Sequence, residues 1–321
     1  MALARRARPR SPISVPSGVG VLVMRGSAQR THLAVLVATL ALACRAGSRP
    51  APGGGLRVVD DAGRTVALAG PARRIVSLSP AITELVFALG AGERLVGRTT
   101  WCDYPPAARA VPSVGDGLNP SVEAVAARRP DLVVLYRSTL DAAAARAFER
   151  LGIPAIVLRQ DRLADLARAA ALLGRLTGRA RAGDSLAAAL AAVGARPGPP
   201  LGVRLAFVTW DNPPVVIGGG SYLDELAALA GATNVFHDLP AASAAVGLET
   251  LAARDPDVIA VLGDSGAAEL PPFARRPEWQ AIRAVRARRF VVLPGSLFGR
   301  PSPRAALAAA ELRRLLAAVP R

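Results

Sequence analysis

Apolar runs with the periods of strands and helices alternate along the chain from about residue 56 onward. A buried-strand pattern at Arg74–Leu78 is followed by Pro80 and a helical pattern that stops near Gly90. Proline favours the first turn of a helix and glycine the position after its end, so these residues bracket a short helix. Alternation of this kind predicts an α/β lobe with a mainly parallel sheet over 56–162. Further strands are predicted at Leu95–Arg98, Leu132–Tyr136 and Ala155–Leu158, and a hairpin turn at Asp61–Gly63.

The pattern becomes purely helical over residues 163–200. Alanine and leucine recur at helical spacing with a break near Gly174–Gly178, which predicts two helices, the second over Arg179–Val193. The sequence RPGPP at 196–200 ends this pattern, and a strand-like run follows. We therefore predict that this segment carries the helix between two lobes, and that a second α/β lobe occupies 201–321.

One sequence repeat relates the two lobes. Residues 123–135 read EAVAARRPDLVVL and residues 249–261 read ETLAARDPDVIAV, which align without gaps at an offset of 126. Each copy predicts a short helix, a turn at the proline and a β-branched run that enters a sheet. The repeat favours a shared lobe architecture, with Glu123 and Glu249 at equivalent outer positions.

The first residues, 1–43, have the pattern of an export signal. Residues 33–43 form an apolar run of 11, too short to span a bilayer, and arginines precede it. Met24 is a second candidate start, because the signal is complete from there. The run ends directly before Cys44, which fits either ordinary signal cleavage or lipidation of that cysteine. Residues 44–55 are rich in Pro and Gly and predict a flexible tether. We expect an exported protein, in the periplasm or on the outer face of the cytoplasmic membrane.

Composition argues against several classes of function. The net charge is +16, from 40 basic and 24 acidic residues, but no basic run marks a nucleic-acid surface. Cys44 and Cys102 are the two cysteines, and His237 is the one histidine beyond the leader, so no metal site is expected. No catalytic residue is assigned. The alternative from another class, an exported α/β enzyme, would require chemistry for which His, Cys and paired carboxylates are scarce.

Three stretches carry a resemblance to a known family. RIVSLSPAITELVFALGAGERLVG at 74–97 looks like a first strand, ligand-facing loop and helix. TTWCDYPPAA from Thr99 is similar to a Tyr-Pro-Pro loop, and WDNPPVVIGGGSYLDELAALAGATNVF at 210–236 looks like the opening of a second lobe. From about Leu56 onward the chain resembles the cobalamin-binding periplasmic proteins of ABC importers. They belong to the helical-backbone metal receptors, which also bind haem and ferric siderophores.

The resemblance implies two similar α/β lobes with mainly parallel sheets, joined by a single long rigid helix, with the ligand in the cleft between them. It implies that the glutamates matching Glu123 and Glu249 dock on arginines of a permease, which works with its ATPase. The expected ligand is a corrinoid such as cobalamin, with haem or a ferric siderophore as the alternative. We expect a monomer without a resident cofactor.

The expected ligand contacts lie in loops that the resemblance turns toward the cleft. A broad planar ligand requires aromatic walls and a few polar groups, and aromatic residues are only 4% of this chain. Two loops, 113–116 and 241–247, lack tryptophans that cobalamin binders often place there, so a thinner cradle is expected. The expected contact residues are Trp101, Tyr104, Asp116, Trp210, Phe298 and Arg300.

Overall fold

A computed structural model describes residues 55–138, 141–263 and 270–320. The chain begins there with an antiparallel hairpin, β1 (Leu56–Val59) and β2 (Thr65–Leu68), which confirms the predicted turn. The carboxylate of Asp60 holds the turn, because its Oδ1 accepts hydrogen bonds from the backbone N–H groups of Ala62 and Arg64.

The first large sheet is parallel throughout and has the order β4-β3-β5-β6. Its central strands are buried except at Tyr136 and consist mainly of branched apolar residues, as expected for a sheet covered on both faces. Three of the predicted strands are confirmed at their predicted bounds, whereas the strand predicted at Arg74–Leu78 is one residue shorter at each end. The elements are β3 (Ile75–Ser77), α1 (Pro80–Ala88), β4 (Leu95–Arg98), α2 (Val122–Ala126), β5 (Leu132–Tyr136), α3 (Asp141–Arg150) and β6 (Ala155–Leu158).

Two helices, α4 (Leu163–Leu176) and α5 (Ala180–Gly194), connect this sheet to the second one. They form an antiparallel pair, because the Cβ positions of Gly174 and Gly194 lie against Gly183 and Leu163 respectively. The second helix matches the predicted one within a residue at each end. It has 15 residues, about 22 Å of helix, and contacts α4 and two helices of the second lobe. Its role as a single rigid connector stays a prediction.

The second large sheet has the order β10-β8-β7-β11-β12, with β9 also beside β7. Strands β7, β9, β11 and β12 are parallel, whereas β8 and β10 add antiparallel pairs at one edge, so this sheet is mixed. Its strands are β7 (Arg204–Asp211), β8 (Pro214–Ile217), β9 (Thr233–Asn234), β10 (Ser243–Ala245), β11 (Val258–Gly263) and β12 (Phe290–Pro294). Its helices are α6 (Tyr222–Ala230), α7 (Leu248–Ala253), α8 (Arg283–Arg286), α9 (Gly295–Phe298) and α10 (Ala305–Ala317).

Apolar packing joins the two lobes although their sheets are separate. One cluster of buried side chains runs from Ile75 of the first sheet through Leu173 of α4 to Phe207 of the second sheet and Leu312 of α10. Each lobe also has a smaller cluster of its own on the other face of its sheet. The shared cluster fixes the two sheets against one helical hairpin.

The sequence repeat is reproduced in the backbone. β5 begins at Leu132 and β11 at Val258, an offset of 126 (258 − 132). The turns before these strands place Arg129 at φ +47° and Asp255 at φ +43°, a left-handed conformation that non-glycine residues seldom adopt. The same offset separates the two residues, so each lobe contains the same unusual helix–turn–strand unit.

The same arginine–aspartate pair anchors each copy of this unit. The carboxylate of Asp131 accepts a hydrogen bond from the backbone N–H of Arg74 at 2.9 Å, and that of Asp257 accepts one from Arg204 at 3.0 Å. Each arginine then donates through its guanidinium to two carbonyl oxygens of the turn it faces. The structure thus supports the shared architecture that the repeat predicted.

Several predictions concern residues outside the described ranges. The leader 1–43, the alternative start at Met24, Cys44 and nearly all of the tether 44–55 lie there, and they stay predictions. Within the described ranges, no helix combines the length and apolar character that crossing a bilayer requires.

Substitution of Gly183 by alanine should separate α4 and α5. The new Cβ would lie 2.7 Å from the carbonyl oxygen of Ala170 and 2.8 Å from Cα of Gly174, closer than van der Waals contact allows. We expect a loss of about 2 kcal/mol in the free energy of unfolding, measured by urea denaturation.

Gly194→Ala in the same helix is the matched control. Its Cβ would meet only the side chain of Leu163 at 3.4 Å, an ordinary contact. Alanine is the better helix former, so stability should be unchanged or raised by up to about 1 kcal/mol. Equal destabilisation by both variants would contradict the close helix contact.

Candidate ligand-binding cleft

A cavity of about 890 Å³ lies between the two lobes. Most of its lining comes from loops that follow the carboxyl ends of parallel strands, the usual place for a ligand in an open α/β sheet. The first lobe contributes Leu78, Ser79, Pro80, Ala81, Thr99, Thr100, Trp101, Asp103, Asp116, Gly117, Leu118, Tyr136, Ser138, Gln160 and Asp161. The second contributes Thr209, Ile217, Ser221, Tyr222, Leu223, Ala242, Leu262, Gly295, Ser296, Phe298, Gly299, Arg300 and Pro301.

Trp101 supplies the largest free apolar surface of the lining. Trp101 is 67% exposed and lies in the loop that follows β4. Cys102 anchors that loop from below: its buried sulfur lies 3.2 Å from Oγ1 of Thr99 and accepts from Oγ1 of Thr83 at 3.1 Å. The loop therefore places Trp101 toward the cavity on a fixed base.

Phe298 lies at the floor of the cavity and belongs to the core. It is only 1% exposed and packs in the cluster that joins the lobes. It can limit the depth of a bound ligand, whereas Trp101 can cover one face of it.

Two of the expected contacts, Tyr104 and Trp210, do not line the cavity. The Tyr104 ring lies 3.8 Å from the guanidinium carbon of Arg304, a cation–π contact between the lobes. The indole N–H of Trp210 donates to the carbonyl of Asn212 at 2.9 Å, within the turn between β7 and β8. Their contact with ligand stays a prediction, and in this structure both have structural partners.

A buried carboxylate, Glu84, ties the lobes together at the edge of the cavity. It lies in α1 of the first lobe with its side chain 1% exposed. Its oxygens accept from Nε of Arg300 at 2.9 Å, Nη2 of Arg304 at 2.8 Å and Oγ of Ser302 at 2.6 Å. These three partners precede α10 in the second lobe, so the ion cluster spans the boundary.

Arg300 lines the cavity as expected, but protein groups already occupy its guanidinium. Besides Glu84, it donates to the carbonyl of Trp101 at 3.2 Å and to the carboxylate of Asp103. Its side chain is 13% exposed. It therefore shapes the loop of Trp101 and is not free to pair with a ligand anion.

The sequence prediction missed Glu84, although a signal was present. Glu84 stands among residues of α1 that are almost all apolar, such as Ile82 and Leu85, and its side chain lies on the buried face. A charge on the apolar face of a predicted helix requires a partner from elsewhere in the fold. That partner comes more than 200 residues later, at a distance that spacing cannot reveal.

Polar groups line the first lobe's side of the cavity. The phenol of Tyr136, at the end of β5, donates to Oδ1 of Asp161 at 2.6 Å. Burial raises the pKa of Tyr136, and this hydrogen bond raises it further, so the phenol is neutral at physiological pH. Gln160 is buried and accepts from the hydroxyl of Ser79. None of these was predicted, although polar residues at strand ends were the available signal.

Asp116 lies in the lining with its carboxylate exposed. Its Oδ1 accepts from the backbone N–H of Leu118 at 2.9 Å. Next to it, Gly117 allows close approach, because a Cβ there would lie 2.4 Å from the carbonyl oxygen of Leu78. The two loops without tryptophan, 113–116 and 241–247, therefore contribute an acidic residue, Asp116, and a small one, Ala242, to the cavity lining.

Glu123 and Glu249 are exposed and lie outside the lining. Each is the second residue of a short helix, α2 and α7, in the repeated unit. Ser121 caps α2 and donates to the Glu123 carboxylate at 3.1 Å. The positions are equivalent, as predicted; docking to a permease is a further prediction.

A metal centre is not formed by the described side chains. Within those ranges no group of three or more His, Cys, Asp or Glu side chains is placed to hold an ion. The cavity therefore offers shape, aromatic surface and hydrogen bonds, which suit the binding of an organic ligand.

Comparison with known proteins decides the family. The model of the family described as periplasmic binding protein matches residues 75–297. The chain belongs to this family. The match includes both sheets and the helical hairpin between them.

Relatives of this periplasmic binding protein differ in the ligand that their names record. The vitamin B12-binding protein of Salmonella typhimurium is 30% identical over 252 residues, which cover 77% of this chain and 91% of that protein. The periplasmic heme-binding protein RhuT from Roseiflexus sp. RS-1 has a TM-score of 0.65 at 26% identity, over 76% of this chain and 98% of that one. An ABC transporter substrate-binding protein from Listeria monocytogenes EGD-e has a TM-score of 0.63 at 25% identity, covering 77% and 98%.

Replacement of Glu84 by glutamine should loosen the boundary between the lobes. The change leaves Arg300 and Arg304 without their shared carboxylate in a site that is largely closed to water. We expect the free energy of unfolding to fall by about 3 kcal/mol, measured by urea denaturation.

Glu311→Gln makes the same chemical change at an exposed pair with Arg314, within one helix. This control should alter stability by a small fraction of the effect at Glu84, since surface ion pairs contribute little. Equal effects of the two variants would show that the Glu84 cluster has no special structural role.

Proposed function

We propose that this periplasmic binding protein captures a corrinoid in the cleft between its lobes and delivers it to the permease and ATPase of an ABC importer. The observation that carries the proposal is the cavity of about 890 Å³ with Trp101 presented at its side. Its volume is near the upper end of the range for small-molecule sites. A corrin is a flat ring with apolar faces and amide groups at its edge. Its faces match the indole of Trp101, and its amides match the Ser, Thr and Gln side chains of the lining.

One of the named relatives supports a corrinoid as the ligand. A vitamin B12-binding protein aligns over nearly its whole length at 30% identity. The alternative ligand, haem, is favoured by the similarity to RhuT, and a ferric siderophore remains the third option. Capture without chemical change is the function that we assign, because the family is one of binding proteins.

Delivery requires export and a membrane partner. The apolar run at 33–43 supports export, and Cys44 offers a lipid anchor as the alternative to release into the periplasm. The equivalent exposed glutamates Glu123 and Glu249 are suited to two matching sites on a permease, because the repeated unit holds both in the same local geometry.

Trp101→Ala should weaken corrinoid binding by at least about tenfold, because the loss removes the aromatic surface that covers the ring. Tryptophan fluorescence, or isothermal calorimetry for the variants, gives the Kd for cyanocobalamin, cobinamide, haem and a ferric siderophore. Trp210→Ala is the comparison, since Trp210 is 63% exposed but lies outside the lining.

The wild-type protein should bind a corrinoid more tightly than haem or siderophore, and the effect of Trp210→Ala should be within about threefold. Absence of corrinoid binding together with tight haem binding would transfer the assignment to the alternative ligand. A larger effect at Trp210 than at Trp101 would place the ligand elsewhere.

The double variant Glu123→Gln, Glu249→Gln should keep the ligand Kd and reduce uptake. Both side chains lie outside the cavity lining, and each loses only its charge. Uptake is measured with the permease and ATPase reconstituted in vesicles, with binding protein supplied outside. Glu93→Gln, Glu278→Gln is a control of equal charge change, and unchanged uptake by the first double variant would refute docking through these glutamates.

A further inference from the structure

The cavity has a charge opposite to that of the whole chain. Its charged lining residues are Asp103, Asp116, Asp161 and Arg300, so three carboxylates and one guanidinium give a formal charge of −2 (+1 − 3). The full chain carries +16.

The one cation of this lining is neutralised by the protein. Arg300 pairs with the buried Glu84 at 2.9 Å and with Asp103. An anion that entered the cavity would have to break these contacts to gain a partner. A buried carboxylate without such a partner is strongly unfavourable.

Asp116 and Asp161 form no ion pair with an arginine among the described residues. Asp116 accepts from a backbone N–H, and Asp161 accepts from the phenol of Tyr136. Arg159 influences Tyr136 electrostatically, but it lies next to Asp61 and outside the lining. The electrostatic potential inside the cavity is therefore negative and is set by carboxylates. The shape of a cleft concentrates such a potential.

Tyr136 is not ready to bind the metal ion of a ligand as a tyrosinate. Burial and the hydrogen bond to Asp161 raise its pKa, so a tyrosinate is disfavoured in the free protein. The described lining contains no His, Met or Cys. A ligand whose metal ion requires coordination by a His, Met, Cys or tyrosinate side chain therefore finds no such group in the described lining.

We propose that Asp116 and Asp161 make the cleft select by charge, so that it accepts a neutral or cationic corrinoid and rejects large anionic rings such as polycarboxylate corrinoids and haem with free propionates. This inference rests on the proposed function and specifies its ligand class. Specificity then arises as much from electrostatic repulsion of anionic ligands as from favourable contacts with the corrinoid.

The test compares ligands that share a ring and differ in charge. Cobinamide, a cation, is paired with cobyrinic acid, which carries carboxylates where cobinamide has amides; haem is paired with its dimethyl ester. Calorimetry at low salt should show the less anionic member of each pair binding at least about tenfold more tightly, with a preference that declines as salt is added.

Asp116→Asn and Asp161→Asn should each reduce this preference by about threefold, since each removes one carboxylate from the lining. Asp184→Asn is the matched control, because Asp184 is exposed on α5 and outside the cavity. It changes the net charge of the protein equally and should leave the preference unchanged.

The outcomes separate the two hypotheses. Equal binding within a pair, tighter binding of the more anionic member, or the same effect from Asp184→Asn would overturn charge selection while the ligand ring is retained. No binding of either corrinoid would refute the proposed ligand, and the haem pair would then decide the charge preference alone.

Discussion

The arrangement of the two lobes depends on one neutral cluster of charges, of which Glu84, Arg300 and Arg304 are largely buried. Glu84 and Asp103 from the first lobe meet Arg300 and Arg304 from the second, with Ser302 donating to the remaining acceptor site. Two carboxylates and two guanidiniums balance, which is the condition for placing charges in a poorly hydrated boundary. The same contacts hold the carbonyl of Trp101, so lobe orientation and the aromatic wall of the cleft are coupled.

A second junction fixes the lobes where the helical hairpin begins. The carboxylate of Glu225, on α6, accepts from the backbone N–H of Leu163 at 2.7 Å and pairs with Arg162 at 3.0 Å. The backbone N–H of Tyr222 donates to the carbonyl of Asp161 at 2.7 Å. Thus α4 starts against the second lobe, and the residue that supplies a carboxylate to the cavity also belongs to this contact. This junction therefore helps to set the position of Asp161.

Local sequence predicted the elements well because their causes are local. Strands such as Leu132–Tyr136 and the helix that Pro80 opens follow from side-chain pattern and backbone preference alone. The repeat predicted equivalent positions for Glu123 and Glu249 because it is a property of the sequence itself. What remained hidden were contacts between distant segments: Glu84 with Arg300, and Tyr136 with Asp161. The sequence also predicted Tyr104 and Trp210 as ligand contacts, but neither lines the cavity, because their side chains contact Arg304 and the carbonyl of Asn212 instead.

Repetition and function occupy opposite parts of each lobe. The Arg74–Asp131 and Arg204–Asp257 pairs hold matching turns at the amino ends of β5 and β11, so both lobes share one scaffold. The cavity lies at the carboxyl ends of the strands, where the repeat breaks down: the first lobe supplies Trp101 and both unpaired carboxylates, and the second supplies Phe298 and the pinned arginine. The ligand proposed above is asymmetric and would require unlike walls, whereas the proposed pair of docking sites would require like ones. Divergence of the loops at one end of a duplicated scaffold satisfies both requirements, because loop changes there leave the buried strands and their anchors intact.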